Sequence, residues 1–274
     1  MTPSIGIIII GDEILSGKRA DKHMPQVIEL LAARSLPLAF AEYVGDDPAR
    51  ITTTLARAFT AARTSGDIVF STGGIGATPD DHTRQCAAQA WGAELALHPE
   101  AKRLIEERMR DTAKEQGTVF EPDRHDNQHR LNMGVFPVGA EIIPNPYNKI
   151  PGFTCKAGLG AVHFVPGFPV MAWPMIEWVL DHHYSHLRQT STSLEKSVIV
   201  MGAMEAALTP LMLEIEASHT GIKVFSLPSV DHPEFGRHIE LGVKGPAQAV
   251  SLAYPALLAG LHQFNLELGP ELVR

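Results

Sequence analysis

The sequence predicts an α/β protein with a doubly wound, mostly parallel sheet, followed by a small C-terminal α+β domain. The first observation is the run Ile5–Ile10, whose apolar, mostly β-branched side chains are typical of a strand buried on both faces of a sheet. The second is the alternation of such runs with segments of helical apolar spacing, which favours a parallel sheet covered on both sides. The third is a polar Ser/Thr-rich stretch at 189–193, after which the pattern starts again.

The first part of the chain contains five runs with the composition of strands, at 5–10, 37–44, 67–72, 140–143 and 161–165. Apolar residues at helical spacing indicate helices at 27–34, 51–62, 80–91, 99–116 and 174–187. Pro174 is expected in the first turn of the last of these helices, where proline is tolerated. The polar segment 117–130 is expected to be an exposed loop, and 144–153 is a Pro/Gly-rich segment between two strands.

The remainder of the chain is predicted to form a separate small domain. Its expected strands lie at 197–201, 222–227 and 237–243, and its expected helices lie at 206–218 and 247–264. This β-α-β-β-α order suits a small α+β domain. We therefore predict one domain at 1–188 and a second at 194–274.

The composition argues against two classes of partner. The chain has 274 residues and a net charge of -8, and no run of Lys or Arg is dense enough for nucleic acid, so we expect no nucleic-acid partner. The apolar run Ile5–Ile10 is too short for a signal-peptide core or a membrane span, so we expect no membrane partner. Cys86 and Cys155 lack the spacing of a metal finger. So few cysteines fit a reducing compartment, and we expect a cytoplasmic protein.

A glycine-rich loop follows the third predicted strand. Gly73, Gly74 and Gly76 come directly after Thr72, and a helix is predicted to begin soon afterwards with Asp80 as its N-cap. Glycines allow backbone N–H groups to converge on an anion, and the start of a helix adds a partial positive charge. The loop matches neither the GxGxxG pattern nor the GxxxxGK[ST] pattern. It predicts a phosphate-binding cradle of another type.

Carboxylates beside this cradle would repel a phosphate. A divalent cation held by Asp81 would remove the conflict, because Mg²⁺ is usually bound by one or two carboxylates together with phosphate oxygens. The alternative is that Asp80 only caps the helix and Asp81 is only solvated.

Two other strand ends also carry acids. Asp12 and Glu13 follow the first strand, and Asp46 follows the second. Asp47 precedes a proline and is the natural N-cap, which leaves Asp46 free to face a ligand. Because ligands of open α/β sheets lie beyond the carboxyl ends of the strands, we expect Asp12, Asp46 and Asp81 to meet at one edge. Each acid taken alone could instead be a cap or turn residue.

Three motifs together resemble those of a known family. They are Gly11-Asp12-Glu13-Ile14-Leu15-x-Gly17, Val44-Gly45-Asp46-Asp47 and Thr72-Gly73-Gly74-x-Gly76-x-x-x-Asp80-Asp81-x-Thr83. The combination resembles the domain shared by the molybdopterin-biosynthesis proteins MogA and MoaB, the CinA family and the eukaryotic FAD synthases. Later segments look like the substrate-side loops and the small second domain of the CinA branch: Asn145-Pro146-x-x-x-x-Pro151-Gly152-Phe153, Pro166-Gly167-Phe168-Pro169, Gly202-x-x-Glu205 and Ser226-Leu227-Pro228.

The resemblance implies a molybdopterin-binding-like domain with a metal-dependent ADP-ribose pyrophosphatase activity, as in full-length CinA proteins. It implies ligand-binding roles for the matching residues Asp12, Glu13, Thr72, Gly73, Gly74, Gly76, Asp80, Thr83, Asn145, Pro151 and Gly152. Full-length CinA proteins also carry a C-terminal nicotinamide mononucleotide deamidase domain, which we expect this chain to lack because it ends at Arg274. We further expect a homo-oligomer, either a dimer or a trimer.

Two functional hypotheses follow. In the first, Asp46 and Asp81 hold Mg²⁺, Mn²⁺ or Co²⁺, and the protein hydrolyses a nucleoside diphosphate compound such as ADP-ribose, with Asp46 orienting the attacking water. In the second, the protein is a non-catalytic module that binds molybdopterin or a nucleotide. His23, Ala77 and Met171 depart from the residues that the family usually has, and these departures favour the second hypothesis.

Overall fold

The structure is a computed structural model that describes residues 3–188 and 193–274. The chain divides into two compact units, Met1–Arg188 and Gln189–Arg274. The domain boundary predicted at 189–193 falls almost entirely outside the described residues. No helix in the described ranges is both long and apolar enough to cross a membrane.

The first unit is built on a six-stranded sheet with the order β2-β1-β3-β8-β7-β6. The strands of this unit are β1 (Ile5–Ile10), β2 (Phe40–Val44), β3 (Ile68–Thr72), β4 (Leu95–Leu97), β5 (Val135–Pro137), β6 (Glu141–Ile143), β7 (Gly152–Ala157) and β8 (Gly160–Val165). Strands β2, β1, β3 and β8 run parallel, while β7 is antiparallel to both β8 and β6. Strands β4 and β5 form a separate antiparallel pair.

Helices cover both faces of this sheet. They are α1 (Asp12–Leu15), α2 (His23–Ala32), α3 (Pro48–Ser65), α4 (Thr83–Trp91), α5 (Pro99–Glu115), α6 (His125–Leu131) and α7 (Pro169–His183). All six residues of β1 are buried, and alternate side chains point to opposite faces. Ile8 belongs to the core cluster that contains Leu55 of α3, whereas Ile7 belongs to the cluster that contains Leu31 of α2 and Ile176 of α7. The predicted doubly wound, mostly parallel fold is confirmed.

The second unit is a four-stranded antiparallel sheet with two helices packed on it. Its elements are β9 (Ser193–Met201), α8 (Glu205–Ser218), β10 (Lys223–His232), β11 (Gly236–Pro246), α9 (Ala247–Leu261) and β12 (Leu268–Val273), and the strand order is β10-β11-β9-β12. The two helices share one core with the sheet, in which Leu208 and Leu257 are buried. Strand β12 was not predicted, because it contains a Gly-Pro pair that normally interrupts strands. Its position at the edge of the sheet explains why the proline is tolerated.

Several element boundaries differ from the prediction. Helix α4 begins at Thr83 with His82 as its N-cap, so the prediction that Asp80 caps this helix is wrong. Pro174 lies inside α7 and not in its first turn, because the helix already begins at Pro169. The predicted loop 117–130 contains most of α6, and β7 starts within the Pro/Gly-rich segment.

An ion pair between the buried Arg34 and the half-exposed Asp181 joins the segment after α2 to α7. The Arg34 side chain is only 5% exposed, and its Nε and Nη2 atoms each donate a hydrogen bond of 2.8 Å to the Asp181 carboxylate. Its Nη1 donates to the carbonyl oxygen of Leu30 at 2.7 Å, and Glu177 lies 3.4 Å from Nη2. Two parallel hydrogen bonds to one carboxylate are among the strongest polar contacts available to arginine.

We expect Asp181→Ala to lower the free energy of unfolding by about 2 kcal/mol, because the buried Arg34 guanidinium would lose its main partner. The matched control is Glu42→Ala, which breaks the exposed pair between Arg57 and Glu42. That variant should change the free energy of unfolding by no more than about 0.5 kcal/mol. Urea denaturation checks both values, and equal effects of the two substitutions would contradict the assignment.

Candidate functional site

The carboxyl ends of four parallel strands meet around a cleft of about 410 Å³. Backbone hydrogen bonds join the loops that follow them. Gly11 N donates to Val44 O at 3.0 Å, and Gly73 N donates to Val165 O at 3.1 Å. These bonds link the end of β1 to β2 and the end of β3 to β8. The cleft therefore occupies the place where open α/β sheets bind ligands.

Asp12 and Asp46 are joined by two hydrogen bonds across the ends of β1 and β2. The Asp12 amide donates to Asp46 Oδ2 at 2.8 Å, and the Asp46 amide donates to Asp12 Oδ1 at 3.2 Å. Asp46 lines the cleft, whereas Asp12 lies outside its lining. The two carboxylates are thus close together, as predicted, but only Asp46 is presented to a ligand.

The cleft concentrates negative charge. Glu13, Asp46, Asp80 and Asp81 all contribute to its lining. Burial raises the pKa of Asp46, and the charges of Asp12, Glu13 and Asp80 raise it further, against the stabilising hydrogen bond from the Asp12 amide. The charged form of Asp46 is therefore penalised, and a cation in the cleft would relieve this penalty.

Asp81 holds the end of the glycine-rich loop. Its Oδ2 atom accepts hydrogen bonds from the Thr78 amide at 2.7 Å and from the Thr78 hydroxyl at 2.5 Å. Asp80 is exposed. Both aspartates line the cleft. The structure therefore brings Asp46 and Asp81 to the same cavity from two different strand ends.

A divalent cation would need further ligands besides these aspartates. Across 3–188 and 193–274, no group of three or more His, Cys, Asp or Glu side chains is arranged to hold a metal ion. Asp46 and Asp81 would therefore supply at most a pair of oxygen ligands. This number fits Mg²⁺, which usually keeps several waters and binds one or two carboxylates plus phosphate oxygens.

The glycines allow the loop to pass between β1 and α4. Gly73 and Gly74 have positive φ angles of 96° and 67°, which favour glycine. A Cβ atom on Gly73 would collide with the Ile10 carbonyl oxygen, and one on Gly74 would collide with the Thr83 hydroxyl. Thr83 N also donates to Gly74 O at 3.0 Å. These glycines are thus required by close packing alone.

Buried hydroxyl groups lie behind the loop. Ser71, Thr72 and Thr83 are at most 1% exposed, and none of their Oγ atoms has a hydrogen-bond partner among the described residues. Thr72 and Thr83 do not line the cleft, although both were predicted to bind ligand. Their position supports the loop that would contact the ligand. Unpaired buried hydroxyls are uncommon and indicate sites for bound water.

The opposite wall is formed by the segment that precedes β7. Asn145 is buried and shapes this segment, since its Nδ2 donates to Ile150 O at 2.9 Å and its Oδ1 accepts from Tyr147 N at 3.0 Å. Pro151 lines the cleft, but Asn145 and Gly152 do not. Gly152 is the first residue of β7, where a Cβ would collide with the Phe164 carbonyl oxygen and lie 2.8 Å from the Met175 methyl carbon. Asn145 and Gly152 are therefore placed to support the wall.

Two cleft residues were not predicted from the sequence as ligand contacts. Arg19 is the one basic side chain among the described residues of the lining, and Phe168 is 56% exposed at the rim. The motif that contains Phe168 was recognised, but its side chain was given no role. The sequence around Arg19 does not indicate a ligand contact, because the loop that carries Arg19 must fold back to reach the cleft.

The departures from the family pattern make contacts around the rim. His23 Nε2 lies 3.0 Å from Gly167 O, and Asn148 Nδ2 donates to Met171 Sδ at 3.2 Å. Met171 and Asn148 both line the cleft, and Ala77 lies in the lining next to Thr78. The departures therefore change the rim of the cleft more than its glycine-rich floor.

Comparison with known proteins identifies the family. Residues 6–189 match the family described as a probable molybdopterin binding domain. A CinA-like protein of Anaeromyxobacter sp. (strain K) is 30% identical over 261 residues, covering 91% of this chain and 57% of the relative. This chain thus spans little more than half of that relative's length. A protein of Pyrobaculum calidifontis is 27% identical, with 93% of each chain covered.

A solved structure supports the fold. The crystal structure of the protein CinA with unknown function from Thermoplasma acidophilum aligns with a TM-score of 0.54 and 24% identity, covering 65% of this chain and 97% of that one. The family match spans more than half of the chain. The chain belongs to the family of probable molybdopterin binding domains, as a CinA-like member.

Proposed function

We propose that the cleft binds a phosphorylated nucleotide- or pterin-like molecule together with a divalent cation, and that it hydrolyses pyrophosphates of the ADP-ribose type. The observation that carries this proposal is the position of the Asp46 carboxylate among like charges, next to the backbone of Gly73 and Gly74. Carboxylates beside an anion-binding loop would repel a phosphate. Such a site can bind a phosphorylated ligand only if a cation binds together with it.

The shape of the lining favours a ligand with a flat apolar part and a charged part. The lining contains the glycines, the acids and Arg19. It also contains the apolar or sulfur-bearing side chains of Met133, Ile150, Phe168 and Met171. Nucleotides and pterins both join a planar ring to phosphate, and aromatic side chains stack on such rings. The volume of about 410 Å³ lies in the range of small-molecule sites.

The chain's own groups could serve each part of the hydrolysis. Amides of the glycine-rich loop and the Arg19 guanidinium would hold the phosphates. Asp46 is held in place by the Asp12 amide at Oδ2, which leaves Oδ1 to orient a water molecule. Attack by that water would form a new P–O bond and break the bond between phosphorus and the bridging oxygen, which leaves on one of the two phosphate monoester products. The proton of the water would pass through Asp46 to the solvent or to the departing phosphate. A cation bound by Asp46 and Asp81 would neutralise the pyrophosphate charge.

The second candidate is a non-catalytic module that binds molybdopterin or a nucleotide. The observation that favours it is the altered rim, where Asn148 contacts Met171 and His23 contacts Gly167. These contacts join loops that a substrate would approach. A cleft with fixed loops can retain its ligand while the geometry needed for turnover is lost.

Asp46→Asn should abolish metal-dependent ligand binding without loss of stability. The pKa of Asp46 is raised above its ordinary value of 3.8, so the folded protein retains this proton to higher pH than the unfolded chain does. The charged carboxylate therefore costs stability as the pH rises above that value, and the amide removes this cost. Thermal unfolding between pH 4 and 7 and calorimetric titration with ADP-ribose and Mg²⁺ would measure both effects.

The matched control is Asp47→Asn. Asp47 caps α3 by accepting a hydrogen bond from Arg50 N at 2.8 Å, and it lies outside the cleft lining. Because asparagine caps helices about as well as aspartate, this variant should bind as the wild type does. Equal binding by the Asp46 and Asp47 variants would remove Asp46 from the site.

Turnover separates the two candidate functions. We expect cleavage of ADP-ribose to AMP and ribose phosphate with Mg²⁺, Mn²⁺ or Co²⁺, and none with a chelator. Asp81→Asn should reduce the rate about 100-fold, because a neutral amide is a poor ligand for a hard divalent cation. Product release is followed by chromatography. Metal-dependent binding of ADP-ribose or a pterin without turnover would support the binding module, and the absence of both would refute both candidates.

Phe168→Ala should weaken binding of ADP-ribose about tenfold, because stacking of a base on an aromatic ring contributes on this scale. Binding of inorganic pyrophosphate, which has no ring, should not change. Val170→Ala is the control, since Val170 is 52% exposed but lies outside the cleft lining. Equal losses for ADP-ribose and pyrophosphate would show that Phe168 shapes the loop and does not stack.

A further inference from the structure

A second pocket of about 330 Å³ lies beside the first turn of α4. It shares Ala77, Thr78 and Asp81 with the cleft, so the end of the glycine-rich loop separates the two cavities. Arg84 and His82 line the second pocket but not the first. The second pocket is therefore a distinct space that adjoins the candidate site.

Arg84 is a buried arginine without a partner. It is 5% exposed, and its Nε and Nη1 atoms are buried with no hydrogen-bond acceptor among the described residues. Burial lowers the pKa of its guanidinium, and the nearby charge of Asp81 opposes this shift. Asp81 does not form an ion pair with Arg84, and its Oδ2 atom is already bonded to Thr78. A buried charge left unpaired is costly, which indicates that a partner is missing.

Arg34 is also a buried arginine of this unit, and its hydrogen bonds differ from those of Arg84. Arg34 is 6% exposed, almost the same as Arg84. Arg34 is bonded to both oxygens of Asp181 and to the Leu30 carbonyl. The buried guanidinium of Arg34 thus has a complete set of acceptors, whereas that of Arg84 lies beside an open pocket.

The start of α4 adds a second source of positive potential. The helix has 9 residues, and no side chain hydrogen bond caps its first turn, at His82. Unsatisfied N–H groups at the start of a helix attract anions. The unpaired Arg84 side chain belongs to this same first turn, so both features favour negative charge in the same pocket.

We propose that the second pocket binds a phosphate-class oxyanion, with Arg84 as its principal donor. Because Nε and Nη1 are fully buried, the guanidinium nitrogen that can reach an anion in the pocket is Nη2, which also has no acceptor among the described residues. A hydrogen bond from a charged guanidinium to an oxyanion belongs to the strong, charge-assisted class. Asp81 also lines the pocket, and its charge opposes the anion, although its Oδ2 is engaged by Thr78. Because Thr78 and Asp81 border both cavities, an anion here would contact the loop that forms the cleft.

Calorimetric titration of the intact protein with inorganic phosphate, without added metal, tests this site. We expect Arg84→Met to weaken phosphate binding about tenfold or more, since hydrogen bonds to a charged group are the stronger class. The control is Arg50→Met, an exposed arginine in the first turn of α3. Arg84 and Arg50 both lie outside the lining of the cleft, so we expect phosphate bound there to contribute similarly in both variants. A parallel titration with ribose 5-phosphate distinguishes a phosphate ester from the free ion as the preferred occupant.

Equal phosphate affinity of the two variants would overturn the proposal. Should Arg84→Met fail to fold, the Arg84 Nε–H resonance of ¹⁵N-labelled wild-type protein provides the second measurement, assigned with Arg84→Lys. We expect this resonance to shift on titration with phosphate, and an unchanged resonance at saturation would also overturn the proposal. Neither measurement depends on ADP-ribose turnover, so failure of the cleft hypothesis would leave this result independent.

Discussion

The carbonyl oxygen of Ile10 lies so close to Gly73 that no side chain fits between the ends of β1 and β3. This close approach requires glycine, and it leaves a stretch of backbone without side chains at the edge of the sheet. Gly73 N is fixed on the other side by Val165 O, so the loop is tied to strands on both flanks. The position of the cleft follows from this constraint, since the acids of β1 and β2 can only meet the loop there.

The buried and half-buried charged groups of the first unit are of two kinds, those with an ion-pair partner and those without one. Arg34 and Asp181 form a closed pair that joins two helices, and no ligand is needed for its stability. Asp46 and Arg84 each form no ion pair with another described residue, and each lines a cavity. Unpaired charges oppose folding, so their presence at cavities and not in the closed core is typical of sites that bind ions. The same physical argument thus supports a cation in the cleft and an anion in the second pocket.

The sequence predicts the framework of the site better than the directions of its side chains. Burial of β1 and the glycines after β3 are visible in composition, and the strand ends place Asp12 and Asp46 together as expected. The N-cap prediction for Asp80 failed because a hydrogen bond from Thr83 to Gly74 sets the start of α4, and this bond depends on the path of the loop. Phe168 and Arg19 could not be found because their orientations depend on segments distant in sequence. The ligand-binding roles of Thr72, Thr83, Asn145 and Gly152 remain predictions, since these residues support the walls and do not form them.

Changes at the rim of the cleft could remove turnover while ligand binding is retained. The close packing of the glycine-rich floor and the charge environment of Asp46 would be the same for any phosphorylated ligand in the cleft. The contacts of His23 with Gly167 and of Asn148 with Met171 instead fix the loops that face the far end of a ligand. Loops held by side-chain contacts position a ligand more rigidly, which aids affinity, whereas a displacement of about 1 Å in the reacting groups can remove most of a rate enhancement. If the cleft acts as proposed, ligand affinity would depend on both the floor and the rim, and turnover would depend on whether the rim holds the pyrophosphate in line with a water beside Asp46.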